Sequence, residues 1–327
     1  MTRNITRRAA LALPMLAAAR GTLAQQPFPN RPVTVIVPFP PGGATDLVAR
    51  PLGAALQRVW NQSVVLQNRG GAGGSIGMAA AAMARPDGYT GLIAHVAYSS
   101  IPAADALFGR APSFDRAALA PVSLLTADPQ VMVVKADAPW RSWLDLVADA
   151  KRRRPGDIAY GSSGPYSAVH LPFEMLAQAG EFQLNHVPYS GGGPAITAVL
   201  GGQVAMTAST PSVVAPYIRS GEMRALVQTG ARRVALLPDL PTAIELGFRG
   251  VEFYLWVGFF TQATVEADIQ RRLREGISAA TQEPEMRRQL ETTGMEIDLR
   301  QGEAFQAFLD ADRQRVEAAI QRIGKVE

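Results

Sequence analysis

Apolar positions along this chain switch repeatedly between a period of two and a period of about 3.6. Residues 33–37 form a β-branched run, and Leu47, Val48, Leu52, Ala55, Leu56 and Val59 then recur at helical spacing. Strands are predicted at 63–67 and 90–94, with an alanine-rich helix over 76–84 between them. The middle repeats the rhythm, with strands at 131–134, 158–160, 183–187, 204–208 and 224–229. Helices over 142–153, 167–179, 193–201 and 211–220 separate them, the first with Ser142 as its N-cap. The end is helix-rich, over 242–246, 267–281, 284–292 and 303–326.

Strand–helix alternation of this kind builds an open, mostly parallel sheet covered by helices. Two such series in one chain predict an α/β protein of two lobes, each an open mixed sheet flanked by helices. The expected division is 25–124 with 229–327 as one domain and 125–228 as the other. Crossovers are expected within 121–127 and 225–230, and two crossing segments make a hinge and a cleft.

The first 24 residues change the charge argument. Arg3, Arg7 and Arg8 precede a short apolar run broken by Pro14, and Thr22-Leu23-Ala24 offers a cleavage site before Gln25. This is the anatomy of a secretory signal, and Arg7-Arg8 also fits a twin-arginine signal. The whole chain has formal charge +4; this segment holds four arginines and no acid, so the remainder is formally neutral. No basic surplus is left for nucleic acid or an anionic membrane. The chain has no cysteine, and after residue 24 no apolar run is long enough to span a bilayer. The expectation is a soluble periplasmic protein held by its core, acting as a monomer.

Four turns carry candidate chemistry: 38–46, 68–77, 160–170 and 187–195. Three of them run from a strand through small residues into a helix start. Unpaired N–H groups there carry partial positive charge and suit an anion, and glycine lets a ligand approach the backbone. Gly-Gly and Pro-Pro are also ordinary turn formers, so each loop by itself reads first as a stiff turn, and only the set of them points to a ligand.

Enzyme motifs are thin. The 70–77 loop lacks Gly-x-Gly-x-x-Gly, there is no Gly-Lys-Ser/Thr, and Gly161-Ser162-Ser163-Gly164 is one residue short of a nucleophile elbow. His95, His170 and His186 do not fall at metal-ligand spacing with carboxylates. His95, at a strand end, is placed to touch a ligand; His186 reads as structural. His170, three residues after Ser167 at a predicted helix start, reads as packing. Trp140, Trp143 and Trp256 read as core or hinge packing.

Taken together, the loops and their order resemble the periplasmic solute receptors of tripartite tricarboxylate transporters, the Bug-type receptors. The resemblance rests on Pro32 to Asp46, on Asn68 to Gly77, and on Arg85-Pro86-Asp87-Gly88-Tyr89-Thr90. It continues through Ser162-Ser163-Gly164, His186-Val187-Pro188-Tyr189, Leu200-Gly201-Gly202-Gln203-Val204 and Leu237-Pro238-Asp239-Leu240-Pro241-Thr242. It implies a type II-like periplasmic binding protein that closes over a small carboxylate without covalent chemistry and hands it to membrane permease subunits. No cofactor or metal is implied. One side of the site would be Phe39, Gly42, Gly43, Ala44, Thr45 and Asp46. The other would be Ser162, Ser163, Gly164 and Ser167, with Tyr189, Gly191, Gly192 and Ser209.

Three positions depart from the family pattern. Tyr166 stands where a glycine is usual, Ala205-Met206-Thr207-Ala208-Ser209 lacks the usual acids, and His95 to Tyr98 replaces Gly-Thr or Gly-Ser. The missing acids argue against an amino-acid ligand. His95, Tyr98 and Tyr166 suggest an aromatic or bulky organic acid. Two alternatives stay open: an exported serine hydrolase using Ser162 or Ser163 with His170, and a receptor that presents its ligand to a membrane sensor.

Overall fold

The computed structural model describes residues 28–326, so the signal expected over 1–24 lies outside the described residues. The first half begins with β1 (Val33–Val37), α1 (Ala44–Trp60), β2 (Val64–Asn68), α2 (Ser75–Ala82), β3 (Thr90–Ala94) and α3 (Ala97–Leu107). β4 (Leu119–Pro129) and β5 (Val131–Lys135) follow with one residue between them. Next come α4 (Trp143–Arg152), β6 (Ala159–Ser162), α5 (His170–Gly180), β7 (Asn185–Pro188), α6 (Gly192–Leu200), β8 (Met206–Ser209), α7 (Pro211–Arg219) and β9 (Met223–Gln228). The chain ends with β10 (Tyr254–Gln262), α8 (Ala267–Gln282), α9 (Pro284–Thr293), β11 (Arg300–Gln301) and α10 (Glu303–Ile323).

Two mixed sheets organise these elements, in the orders β11-β4-β10-β3-β1-β2 and β7-β6-β8-β5-β9. The chain passes from the first sheet to the second at Gln130 and leaves β9 through Thr229. The crossing segments are bonded together: the Thr229 N–H donates to the Gln130 carbonyl at 3.0 Å, and the Gln130 N–H donates to Thr229 Oγ1 at 2.9 Å.

Strand direction decides where the loops point. β3 and β4 each run antiparallel to β10, so they run parallel to one another, and β1 is parallel to β3. The loops after β1 and β3 therefore leave from the end at which β4 enters the crossing. In the second sheet Val131, the first residue of β5, pairs with Ser209, the last of β8. β6 and β7 run parallel to β8, so the loops after β6, β7 and β8 leave from that same crossing end. Both sets of loops open onto the junction of the two lobes.

Packing follows the alternation. Val131 and Val133 join a cluster with Ile196, Val199 and Val214 from α6 and α7. Met132 and Val134, on the opposite face of the same strand, join the larger core with Trp143 and Phe173 from α4 and α5. In the first lobe Trp256, Phe259, Phe260 and Phe305 are fully buried, each such side chain contributing about 2 kcal/mol. Ser142 caps α4 reciprocally with Asp145, and Trp140 and Trp143 are buried as expected.

Six elements differ from the sequence expectation, two of them β10 and β11, which are absent from the predicted strands and are formed by pairing with β4. Residues 121–127 are the middle of β4, not a crossover, because both neighbours β10 and β11 hydrogen-bond to them. Residues 242–246 form one turn rather than a helix; Thr242 and Glu245 bond reciprocally, and Gly247 follows at φ 90°. α5 begins at His170 instead of Ser167, since the backbone at Tyr166 is left-handed. α3 was not anticipated at all: Ser99, Ser100 and Pro102 blur its periodicity.

Candidate functional site

The first loop is fixed from below by a buried carboxylate. Asp46 Oδ2 accepts from the Gly42 N–H at 2.9 Å and from Arg50 Nε at 2.7 Å, and its Oδ1 from Asn68 Nδ2 at 3.3 Å. Burial pushes the Asp46 carboxyl up, but these hydrogen bonds and the Arg50 charge outweigh it and hold the group below its ordinary value. Asp46 is thus the loop's anchor, with its oxygens committed to the protein. Gly42, at φ 86°, makes the turn, and Gly43 begins α1 with no side-chain cap. Among the described residues, the N–H groups of Gly43, Ala44 and Thr45 have no acceptor. They form the positive end of a 17-residue helix.

Phe39 and His95 form the wall beside this helix start. Their rings stack at 4.1 Å. His95 Nδ1 accepts from the Ala97 N–H at 3.0 Å, and burial pushes its pKa down to about 3. The ring is therefore neutral with its proton on Nε2, a donor without charge. The second glycine loop supports the first. A Cβ on Gly74 would sit 2.7 Å from the Phe39 ring, and one on Gly77 would sit 2.7 Å from Pro38 Cα and from the Arg69 carbonyl.

Across the junction, the turn after β6 is held by histidine. Ser162 Oγ lies 2.5 Å from His186 Nε2 and is bonded to both the carbonyl and the N–H of Gly164, each at 3.0 Å. His186 packs on His170 at 4.2 Å. Burial pushes His186 down to about 4; burial and the neighbouring His186 push His170 down to about 3. This arrangement leaves Ser163 and Gly164 partly exposed at the turn. The Tyr189 N–H donates to the Ser162 carbonyl at 2.9 Å, and its half-buried ring covers Gly161. α6 then starts at Gly192 without a side-chain cap, and among the described residues the Gly192 and Gly193 N–H groups have no acceptor. Ser209 is half-buried at the end of β8.

Three sequence candidates are engaged elsewhere. Tyr98 lies in the core, 4.7 Å from Phe260, with its hydroxyl donating to the Arg116 carbonyl; it sits on the turn of α3 that faces β10. Tyr166 turns back toward Phe108 and the chain's end, and its hydroxyl donates to the Gly324 carbonyl. Ser167 Oγ accepts from the His170 N–H at 3.3 Å. Of the expected aromatic groups His95, Tyr98 and Tyr166, His95 alone stays beside the first loop, and it stacks there on Phe39. His186, read from sequence as structural only, is the residue that directly contacts Ser162. A cavity of about 780 Å³ behind that turn is lined by His170, Glu174, His186 and Val326, and by no residue of the turn itself.

Residues 48–325 match the tripartite tricarboxylate transporter family receptor model. The chain belongs to this receptor family. Three solved structures are similar over nearly all of it. The periplasmic binding protein BugD is 30% identical with TM-score 0.82, covering 91% of this chain and 99% of BugD. MatC from Rhodopseudomonas palustris, solved with bound malate, is 28% identical with TM-score 0.81, covering 89% and 99%. An R. palustris protein solved with adipate is 28% identical with TM-score 0.82, covering 90% and 97%.

The receptor is thus a periplasmic solute-binding protein and not an enzyme. The hydrolase alternative fails on geometry as well. His170 Nδ1 is occupied by the Tyr166 N–H at 3.1 Å, and Ser162 is fully buried against His186. Among the described residues no helix of the receptor is long and apolar enough to cross a membrane.

Proposed function

We propose that this receptor captures a small organic acid between its two lobes, closing about Gln130 and Thr229, and delivers it to the membrane subunits of a tripartite tricarboxylate-type transporter. The observation that carries this reading is the convergence of uncapped helix starts from both sheets on one junction. The N–H groups of Gly43, Ala44 and Thr45 come from one lobe, and those of Gly192 and Gly193 from the other. Such groups bind carboxylate by dipoles. Arg50, the first cation after the loop, is turned onto Asp46, so no formal charge of the loop is left for a phosphate.

On this reading Phe39, Gly42, Gly43, Ala44, Thr45 and His95 face the ligand from the first lobe. Ser163, Gly164, Tyr189, Gly191, Gly192 and Ser209 face it from the second, while Asp46 and Ser162 fix the two turns. The relatives solved with malate and adipate support a carboxylic acid as the ligand class. The neutral Phe39–His95 stack favours an acid with an apolar body, aliphatic or aromatic. Contacts made by both lobes are what draws the closed state up in population.

A thermal-shift screen of mono- and dicarboxylic acids, aliphatic and aromatic, tests the proposal. Binding at a ligand concentration of about 100 Kd stabilises the native state by about 2.7 kcal/mol, and the acid is returned unchanged. A screen in which no carboxylic acid raises the melting temperature, while amines or neutral sugars do, overturns it.

A further inference from the structure

Behind the turn that carries Ser163 and Gly164, Tyr166 makes a connection that ligand capture does not require. Its backbone is left-handed, φ 55°, a region that bulky L residues seldom occupy. That conformation carries the ring to the rear of the turn. There it meets Phe108 edge-on at 6.2 Å and His170 at 5.6 Å, and it is buried. The hydroxyl donates to the Gly324 carbonyl at 2.9 Å and accepts from the Val326 N–H at 3.0 Å. Its donor and one acceptor site are thus both spent on a single stretch of three residues.

Those three residues are the C-cap of α10 and the segment that follows it. Gly324 ends α10, and α10 packs along α3 of the first lobe before its end reaches α5 of the second. Lys325 Nζ lies 5.6 Å from the ring of Phe108, which caps α3. The Tyr166 N–H donates to His170 Nδ1, and the Ser167 N–H donates to the Gly164 carbonyl at 3.3 Å. An unbroken path of bonds therefore runs from the segment 324–326 through Tyr166 to Gly164. Glycine would hold a left-handed backbone here at lower cost. The tyrosine adds nothing the turn needs for its own shape; what it adds is the bond to the chain's end.

We propose that Tyr166 is a positioning residue, which clamps the segment 324–326 onto the second-lobe turn and so makes it a third link between the lobes, beside Gln130 and Thr229. That Ser163 and Gly164 touch a ligand rests on the function proposed above; the clamp does not. With the clamp closed, the turn is held in one geometry before any ligand arrives, which lowers the ordering cost of binding.

Hydrogen–deuterium exchange of the ligand-free protein tests this without a ligand. In Tyr166→Phe, which keeps the ring and its packing, peptides covering 160–168 and 320–326 should both exchange about tenfold faster, as loss of hydrogen bonds of ordinary strength implies. Peptides of β10 should stay at the wild-type rate. Deletion of residues 324–327 should speed exchange of 160–168 by the same factor, and combining the two changes should add nothing. Tyr166→Gly, which tolerates the backbone conformation, should reproduce Tyr166→Phe and so separate the clamp from strain. If Tyr166→Phe loosens only 320–326, or if the two changes add, the clamp does not position the turn and the inference falls. A failed acid screen leaves this result untouched, and the reverse also holds.

Discussion

Thr229 and Gln130 meet where the chain crosses twice between the sheets, and the threonine hydroxyl joins to them a third segment, the residue just before β10. Thr229 Oγ1 accepts from the Gln130 N–H and donates to the Phe253 carbonyl at 2.6 Å, while the Phe253 N–H returns to the Thr229 carbonyl at 3.0 Å. Both crossing residues are fully buried. Thr229→Val keeps the shape but leaves a buried donor and a buried acceptor unmet. The expected loss is about 2 kcal/mol of unfolding free energy, read as a lower urea midpoint at unchanged m-value. A midpoint equal to wild type would show that water replaces the hydroxyl and that the junction is not held by it.

The second glycine loop is predicted to act on the first through backbone contact. Gly77 is seated against Pro38 Cα and the Arg69 carbonyl, neither of which has a flexible end that can move aside. Gly77→Ala should force α2 away from the loop 38–46 and destabilise the fold by about 1–3 kcal/mol, as overpacking does. Gly43→Ala meets nothing within 4 Å and should cost far less. Thermal melts of the two variants side by side decide this; equal losses would place the constraint elsewhere.

Which features the sequence made legible follows from the range of the forces involved. The periods of two and 3.6 are local, so β1, β5, α8 and α9 could be read within a residue or so of their ends. β4 could not, because Pro121 and Pro129 read as breakers while β10 supplies its pairing from more than a hundred residues away. Ser162 and His186 are 24 residues apart and meet because β6 and β7 pair in parallel with Tyr160 opposite His186. That register is a tertiary fact, and no spacing rule encodes it. Tyr98 and Tyr166 follow β3 and β6 closely in sequence, but the direction of each ring depends on one backbone angle or one helix turn. Chemical type was legible at these positions; orientation was not.

Asp46 should show its role in the acid limb of the stability profile. Its folded pKa lies below the unfolded value of about 3.9. The stability it contributes is therefore fully present above the unfolded value and is lost as pH falls through the lower, folded one. Asp46→Asn removes the charge that Arg50 and the Gly42 N–H hold. The variant should melt below wild type at neutral pH by an amount worth about 1 kcal/mol, and the gap should close as pH falls through the lowered folded pKa. A gap independent of pH would mean that the loop is held by shape, not by the carboxylate.

Asp128 should behave in the opposite sense. It lies on β4 two residues before the crossing, buried, with Oδ2 lacking a partner among the described residues. Burial, aided by the negative charge of Glu296, pushes its pKa up to about 7, with Thr126 opposing. Arg232, Arg233, Tyr254, Glu291 and Glu296 line the same cavity of about 660 Å³, and Arg233 there is paired with Glu245 at 2.9 Å. A raised folded value means that its contribution is fully present below about 4 and is lost as pH rises through about 7. Asparagine imitates the protonated acid. Asp128→Asn should therefore match wild type below about pH 4 and melt increasingly above it as pH rises to about 7, by an amount worth on the order of 1 kcal/mol or more. The difference in melting temperature, followed from pH 4 to 8, should grow through that window and level off above about 7; a flat difference would mean that Asp128 finds a compensating partner in solution.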